Sequence, residues 1–274
     1  MARQVGTAVI LDKITFDNGL SIEGQPIGVA DTVSGFENVD GVLGLGPVNW
    51  STKSGTASSD SQSVATNLFS KEIIGTELMA LSFYPDDEGL RGEIDFEHDL
   101  SKQTGDAGLV PITSTQPASS YWGIDRNVQY GESNTPILDS SSGILDLHTR
   151  LIMIASDAFS AYQDATKSTL DETTGLLTIP ESQLDDLQSL FFTIGGVAYE
   201  VSADAQIWPR ALNSKIGGKE GQIYLVVADM GSPSGNGLDF VNGVAFLQRF
   251  YTILDTTNVQ VGLATGPLTY SSLN

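Results

Sequence analysis

The sequence predicts an all-β protein, and three observations support that fold class. Val, Ile, Thr, Phe and Tyr occur in short runs that end at Gly, Asn, Asp or Ser, a pattern typical of strands joined by turns. Glycine is abundant, with 29 among 274 residues, as expected of a chain with many turns. Hydrophobic residues make up 40% and charged residues 17%, which indicates a well-filled core and argues against disorder.

The first predicted element is a hairpin. Residues 5–16 and 20–30 are strand-like, and Asp17-Asn18-Gly19 lies between them. Asn-Gly favours a tight turn because both residues tolerate positive φ angles. Because this strand pair starts so close to residue 1, we expect its sheet partners to lie upstream of the sequence.

The remainder of the first half predicts one short helix and more strands. Residues 64–74 carry apolar side chains at helical spacing. Further strands are predicted at 78–84, 92–96 and 108–113. Residues 113–120 are rich in Ser, Thr and Pro, so we expect the junction of two lobes there. Residues 1–112 then form an N-terminal lobe and residues 113–274 a C-terminal lobe.

The second half repeats this style. Ser156 is expected to cap one helix, and Pro180 is expected to open another. Residues 191–201 predict a second hairpin that turns at Gly195-Gly196. Strands are also predicted at 122–130, from residue 137 onward, at 224–228 and at 250–264.

The charge of the chain disfavours two classes of partner. Thirty-four acidic residues face 13 basic ones, which gives a net charge of −21. Such a surface repels phosphate backbones and anionic lipids, so we expect no nucleic-acid and no membrane partner. No apolar run is long enough to span a bilayer, and no signal peptide is visible at the start. The acidity fits either simple solubility or adaptation to acid.

Several common kinds of site are excluded or disfavoured. The chain has no cysteine, which excludes thiol catalysis and disulfides. His98 and His148 are its only histidines, so we expect no metal and no cofactor. Gly44-Leu45-Gly46 lacks the third glycine of a dinucleotide loop and the lysine of a P-loop. Ser140-Ser141-Ser142-Gly143 does not have the spacing of a nucleophile elbow.

Several segments resemble pepsin-like aspartic endopeptidases. The segment Val39-Asp40-Gly41-Val42-Leu43-Gly44-Leu45-Gly46 looks like the Phe-Asp-Gly-Ile-Leu-Gly-Leu-Gly of that family, and residues 240–264 resemble its closing strands. Residues 121–124 and 205–210 look particularly like fungal polyporopepsin-type enzymes, and the resemblance runs in order along essentially the whole chain. It implies a bilobal pepsin-like acid-protease fold, a cleft for peptide or protein substrates, and an extracellular, secreted protein.

In that family, two aspartates, one from each lobe, hold a water molecule between them. One ionised carboxylate acts as the general base, and its protonated neighbour donates to the substrate carbonyl. Each aspartate sits in an Asp-Thr-Gly or Asp-Ser-Gly turn. The family's N-terminal portion, with the first such turn and the flap tyrosine, has no counterpart here, so the resemblance implies a truncated N-terminal lobe.

The second catalytic turn is present in altered form. Asp146 stands five residues before the apolar run that begins at Leu151, as the family has it, and therefore matches the catalytic position. Thr149 matches the hydroxyl that contacts substrate. Leu147 and His148 replace the family's Thr and Gly. Asp139 is the alternative, but its spacing to the same apolar run is seven residues too long.

Three functions are compatible with these residues. The first is an aspartic endopeptidase by descent that has little or no activity in this form, and the altered motif favours it. The second is a peptidase-like protein that binds peptides without cleaving them. The third is an active site completed by pairing two chains.

Three further expectations concern the first lobe. Its exposed strand edges and apolar surface predict self-association. Residues 42–46 are expected to be buried beside the cleft. Asn49-Trp50-Ser51 is a glycosylation acceptor triplet, so Asn49 is expected to carry a glycan if the protein is secreted from a eukaryote.

Overall fold

The computed structural model describes residues 3–34, 39–47, 63–86, 89–96, 103 and 105–272. In these residues, strands predominate and the helices are few and short. The all-β prediction is therefore confirmed. In the described part of the chain, no helix is both long and apolar enough to cross a membrane.

The elements are numbered in chain order. The strands are β1 (Arg3–Thr15), β2 (Ser21–Ser34), β3 (Leu78–Asp86), β4 (Gly89–Asp95), β5 (Gly108–Pro111), β6 (Gly123–Tyr130), β7 (Thr135–Leu145), β8 (Ile152–Ile154), β9 (Thr169–Asp171), β10 (Leu176–Ile179), β11 (Leu190–Ile194), β12 (Val197–Val201), β13 (Ile223–Tyr224), β14 (Val227–Asp229), β15 (Phe240–Asn242), β16 (Phe250–Asp255) and β17 (Gln260–Thr265). The α-helices are α1 (Val64–Ser70), α2 (Ser156–Thr166) and α3 (Val244–Leu247). Single 3₁₀ segments lie at Ala118–Ser120, Glu181–Asp186, Asp204–Gln206 and Arg210–Ile216.

The chain divides into two compact units, Met1–Leu78 and Met79–Asn274. The lobe boundary predicted at residues 112 and 113 is a different division and stays a prediction. Strands from both sides of that boundary share one sheet, because β3, β4 and β5 pair into a five-stranded sheet with β16 and β17.

The first unit contains the hairpin of β1 and β2, which pair antiparallel. A tight turn forms where the sequence predicts it, but only Gly19 of the Asn-Gly pair takes a positive φ angle. Gly19 has φ +85°, and its N–H donates to the carbonyl of Phe16 at 2.9 Å. The side chain of Asn18 accepts the N–H of Leu20 at 2.9 Å. Helix α1 begins after Ser63, whose hydroxyl accepts the N–H of Thr66 at 3.1 Å, as a capping residue should.

The expectation that residues 42–46 are buried is wrong. Val42 is 61% exposed and Leu43 is 42% exposed. The physical reason is the size of the sheet in this unit. The described residues of the unit contain a single two-stranded sheet, and such a ribbon offers too little apolar area to cover another segment.

The described residues of the second unit form three sheets. The largest has seven strands in the order β12-β11-β6-β7-β15-β8-β14. The five-stranded sheet has the order β4-β3-β16-β17-β5, and a three-stranded sheet has the order β13-β10-β9. A chain of aromatic rings joins the first two of these sheets through α3. Phe192 and Phe246 lie 5.1 Å apart between ring centres, and Phe246 and Phe250 lie 4.9 Å apart.

Local turn chemistry also explains the second predicted hairpin. Strands β11 and β12 pair in register from Leu190 to Ile194, and the turn residues Gly195 and Gly196 both have positive φ angles. Helix α2 lies where the sequence predicts a helix. However, the capping role expected of Ser156 is wrong, because Ala155 precedes the helix and Ser156 donates its hydroxyl to Asp229 at 2.6 Å.

Candidate active site

Asp146 lies in the loop that connects β7 to β8. These two strands are consecutive in sequence but are not neighbours in the sheet. Strand β15 lies between them, parallel to β7 and antiparallel to β8. Residues 146–151 therefore pass across the end of β15. The N–H of Asp146 donates to the carbonyl of Asn242, the last residue of β15, at 3.1 Å.

The start of helix α3 holds this loop from the other side. The first N–H groups of a helix have no acceptor within the helix itself. Here the N–H groups of Val244 and Ala245 donate to the carbonyls of Thr149 and Arg150 at 2.8 and 2.9 Å. Gly243 precedes the helix, and a Cβ at that position would overlap the carbonyl oxygens of the loop. The loop is thus fixed by backbone contacts that need glycine at residue 243.

The carboxylate of Asp146 is oriented by its own turn. Its Oδ1 accepts the N–H of His148 at 3.0 Å. Its Oδ2 accepts the N–H of Thr149 at 3.1 Å and the hydroxyl of Thr149 at 2.6 Å. The structure therefore brings together Asp146 and Thr149, the two residues that the sequence selects. Asp146 is half-buried, so its carboxylate is held in place without being sealed in the core.

The two altered residues do not break the turn. The bond from residue 148 comes from its backbone N–H, which any residue except proline supplies. His148 is exposed, and its φ is not among the positive values of the described residues, so the backbone itself does not require glycine there. Leu147 is half-buried and offers no hydroxyl.

Asp139 lies elsewhere. It is an exposed residue within β7, beside an irregularity of the β6–β7 pairing where Ser140 has φ +44°. Asp146 follows it by seven residues of mostly extended chain, which corresponds to roughly 23 Å at about 3.3 Å per residue. The two aspartates of one chain are therefore too far apart to share a proton.

Sequence analysis missed the residues behind the turn. Asn242 is fully buried, and its side-chain oxygen accepts a hydrogen bond from Nη1 of the buried Arg126. Burial lowers the pKa of Arg126 well below its usual value. No signal in the sequence marks this pair, because an arginine in a strand is normally a surface residue.

The remaining sequence predictions have no structural outcome. The described residues contain no cluster of three or more His, Asp or Glu side chains that could hold a metal ion. His98 and the triplet Asn49-Trp50-Ser51 lie outside the described residues.

Comparison with known proteins gives consistent matches along the chain. The sequence model of the family described as eukaryotic aspartyl protease matches residues 4–266. Polyporopepsin from Irpex lacteus is 50% identical over 268 residues, which cover 96% of this chain and 78% of that protein. Pepsin A from Bos taurus is 27% identical over 252 residues, which cover 90% of this chain and 62% of that protein. The crystal structure of an aspartic proteinase from Irpex lacteus superposes with a TM-score of 0.88 at 46% identity, covering 98% of this chain and 84% of that one.

Proposed function

The chain belongs to the eukaryotic aspartyl protease family of pepsin-like hydrolases, and from this premise we propose that its substrates are peptides or proteins but that these 274 residues cleave them little or not at all on their own. The membership explains the fold, which the Irpex lacteus proteinase shares. The proposal about activity rests on the residues of the site.

The observation that carries the proposal is a single candidate carboxylate. The 274 residues contain no Asp-Thr-Gly and no Asp-Ser-Gly triplet. Asp146 has turn geometry suited to the role, and its observed partners are donors. An aspartic peptidase needs a protonated and an ionised carboxyl group side by side. Loss of such general acid–base assistance costs on the order of 10²–10⁴-fold in rate.

Within this proposal, Asp146 is the carboxylate at the catalytic position and Thr149 supplies the hydroxyl that contacts substrate. The bonds from Thr149 to Asp146 support this assignment because they fix the carboxylate beside an accessible surface. Asp139 is the weaker alternative because it is an exposed residue within β7 and has no comparable turn. The family resemblance also favours secretion, and a glycan on Asn49 would accompany it.

Hydrolysis of a protein substrate tests the proposal. The purified chain is incubated with casein or haemoglobin at acid pH, with and without pepstatin, beside the matched variant Asp146→Asn. We expect no more than trace cleavage, equal in the two proteins. The paired change Leu147→Thr and His148→Gly is expected to add nothing, because it supplies no second carboxylate.

A pepstatin-sensitive activity that Asp146→Asn abolishes would contradict the proposal. It would favour a site completed by two chains, each giving one aspartate. A peptide-binding role without cleavage is the second candidate, since the turn keeps its hydrogen bonds although two of its residues differ from the family's. Saturable binding of pepstatin by an inactive chain would support that role.

A further inference from the structure

Arg126 is a cation in the core of the second unit. It occupies an inward-facing position of β6 and is 2% exposed. Its guanidinium contacts two aromatic rings, with Cζ 3.6 Å from the ring centre of Phe240 and 4.6 Å from that of Phe192. One guanidinium nitrogen, Nη1, donates to Oδ1 of Asn242. The two side chains therefore form one buried pair.

Three nitrogen atoms of this pair have no hydrogen-bond partner among the residues that the structure describes. They are Nε and Nη2 of Arg126 and Nδ2 of Asn242. They lie in one cluster, because the guanidinium is a single planar group and Oδ1 and Nδ2 belong to one amide. All three atoms are donors. Because buried donors in folded proteins are nearly always paired, the cluster needs an acceptor.

The positive charge needs compensation as well. Burial is the cause that lowers the pKa of Arg126, yet a guanidinium remains protonated in proteins. A buried charge is costly unless an opposite charge or several hydrogen bonds offset it. The aromatic rings offset part of that cost through cation–π contact. Among the described residues, three donors of the pair stay unpaired beside these rings.

We propose that Arg126 and Asn242 form a buried site for a small monovalent anion, such as chloride or bromide. A water molecule could accept these donors, but it would leave the charge uncompensated, and its own two hydrogens would need acceptors in a cluster of donors. A halide has no hydrogens to place and carries the opposite charge. Because both side chains are buried in a closely packed core, the occupant is restricted to a small ion.

The site lies directly behind the candidate catalytic turn. The side chain of Asn242 accepts from Arg126, and its backbone carbonyl accepts the N–H of Asp146 at 3.1 Å. An anion bound to both side chains would fix Asn242 and, through it, the start of the turn. Arg126 is in this sense a positioning residue for Asp146.

Anomalous diffraction tests the site directly. Crystals grown without halide are soaked in sodium bromide, and data are collected at the bromine absorption edge. We expect an anomalous peak in hydrogen-bond contact with the guanidinium of Arg126. Anomalous peaks only at the surface would overturn the proposal in favour of an adventitious ion. Electron density beside Arg126 that gives no anomalous signal would overturn it in favour of an ordered water.

Thermal unfolding provides an independent test. The melting temperature is compared in sodium chloride and sodium gluconate at equal ionic strength. We expect the unaltered chain to melt about 3 °C higher in chloride, the shift that anion binding at several times its dissociation constant gives a unit of this size. The variants Arg126→Met and Arg126→Gln should lose that difference.

Arg210→Met is the matched control. It removes the same charge from a half-buried arginine, whose side chain is 37% exposed and pairs with Glu181 at 3.3 Å, and it should keep the full response to chloride. Equal melting temperatures of the unaltered chain in the two salts overturn the proposal. Should the Arg126 variants fail to fold, the bromide experiment on the unaltered chain still decides.

Discussion

The carboxylate of Asp146 accepts two backbone N–H groups, which explains how the turn keeps its shape with unusual residues. The N–H groups of His148 and Thr149 are present whatever the side chains at these positions. Leu147 and His148 therefore change the surface of the turn and leave its backbone bonds in place. Thr149 differs from them because its hydroxyl is part of the bonding.

The hydroxyl of Thr149 should make a measurable contribution to stability. Thr149→Val removes the 2.6 Å bond to Asp146, and we expect the free energy of unfolding to fall by about 1.5–3 kcal/mol, the usual range for a hydrogen bond to a charged group. Thr149→Ser keeps the hydroxyl and should keep most of the stability. Urea denaturation of the three proteins provides the measurement. A loss in Thr149→Ser with none in Thr149→Val would assign the effect to the methyl group instead.

Helix α2 is attached to the core by a buried polar network centred on Gln206. The hydroxyl of Tyr162 donates to Oε1 of Gln206 at 2.8 Å. The Nε2 of Gln206 lies within hydrogen-bond distance of the carbonyls of Gln188, Val201 and Ser202. Because both the oxygen and the nitrogen of the Gln206 amide have hydrogen-bond partners, the network fixes one arrangement of the helix and the following loops.

Replacing the centre of this network should be costly. Gln206→Leu leaves the hydroxyl of Tyr162 and buried carbonyls unpaired, and we expect a loss of about 3 kcal/mol in the free energy of unfolding. Gln129→Leu, at a half-buried position on β6, is the control and should stay within about 0.5 kcal/mol of the unaltered chain. Denaturant unfolding followed by circular dichroism measures both. A loss below about 1 kcal/mol for Gln206→Leu would show that water replaces the network.

The hairpin of the first unit predicts self-association. Among the described residues, β1 and β2 pair only with each other, so each has an outer edge without a strand partner. Val9 and Leu11 are 49% and 72% exposed. We expect an apparent mass that rises with concentration in light scattering. Leu11→Lys should weaken the association by placing charge on the edge, whereas Leu170→Lys, at a site 37% exposed in the second unit, should not. A clean monomer at high concentration would contradict the prediction.

For the molecule as a whole, the acidic side chains determine how stability is expected to depend on pH. Hydrogen bonds to Asp157 from Ser234 lower the pKa of that carboxyl, and those to Asp171 from Thr173 and Tyr224 do the same. The pKa of Asp255 is also lowered; burial opposes the shift and bonds from Asn258 and Gln260 outweigh it. Stability from such groups is present above the unfolded value of about 3.9 and is lost as pH falls through the lower folded values.

The net charge has the opposite effect on stability, because it destabilises the folded chain more as pH rises. A charge of −21 destabilises the folded chain by self-repulsion, which decreases as carboxylates are protonated. We therefore expect the melting temperature to be higher at pH 5 than at pH 8 and to fall below about pH 3.9. Asp255→Asn should reduce the fall of the melting temperature at low pH and leave its rise from pH 8 to pH 5 unchanged. A melting temperature that rises steadily toward pH 8 would refute this balance.

The sequence by itself determined what depends on neighbouring residues. Gly19 and the pair Gly195-Gly196 form their turns because glycine itself tolerates positive φ angles. Short runs of β-branched and aromatic residues that end at turn residues likewise predicted strands, because strand propensity is a local property. The pairing of Asp146 with Thr149 also follows from a short spacing, since a carboxylate reaches the N–H groups two and three residues ahead of it.

Only the tertiary structure decided what lies behind and around that turn. Arg126 and Asn242 are 116 residues apart in sequence, and their bond exists because β15 inserts between β7 and β8. The exposure of Val42 likewise depends on how much sheet is available to cover it. Burial and long-range pairing are properties of the packed chain, since they depend on which distant strands become neighbours, and short-range patterns carry no information about that choice.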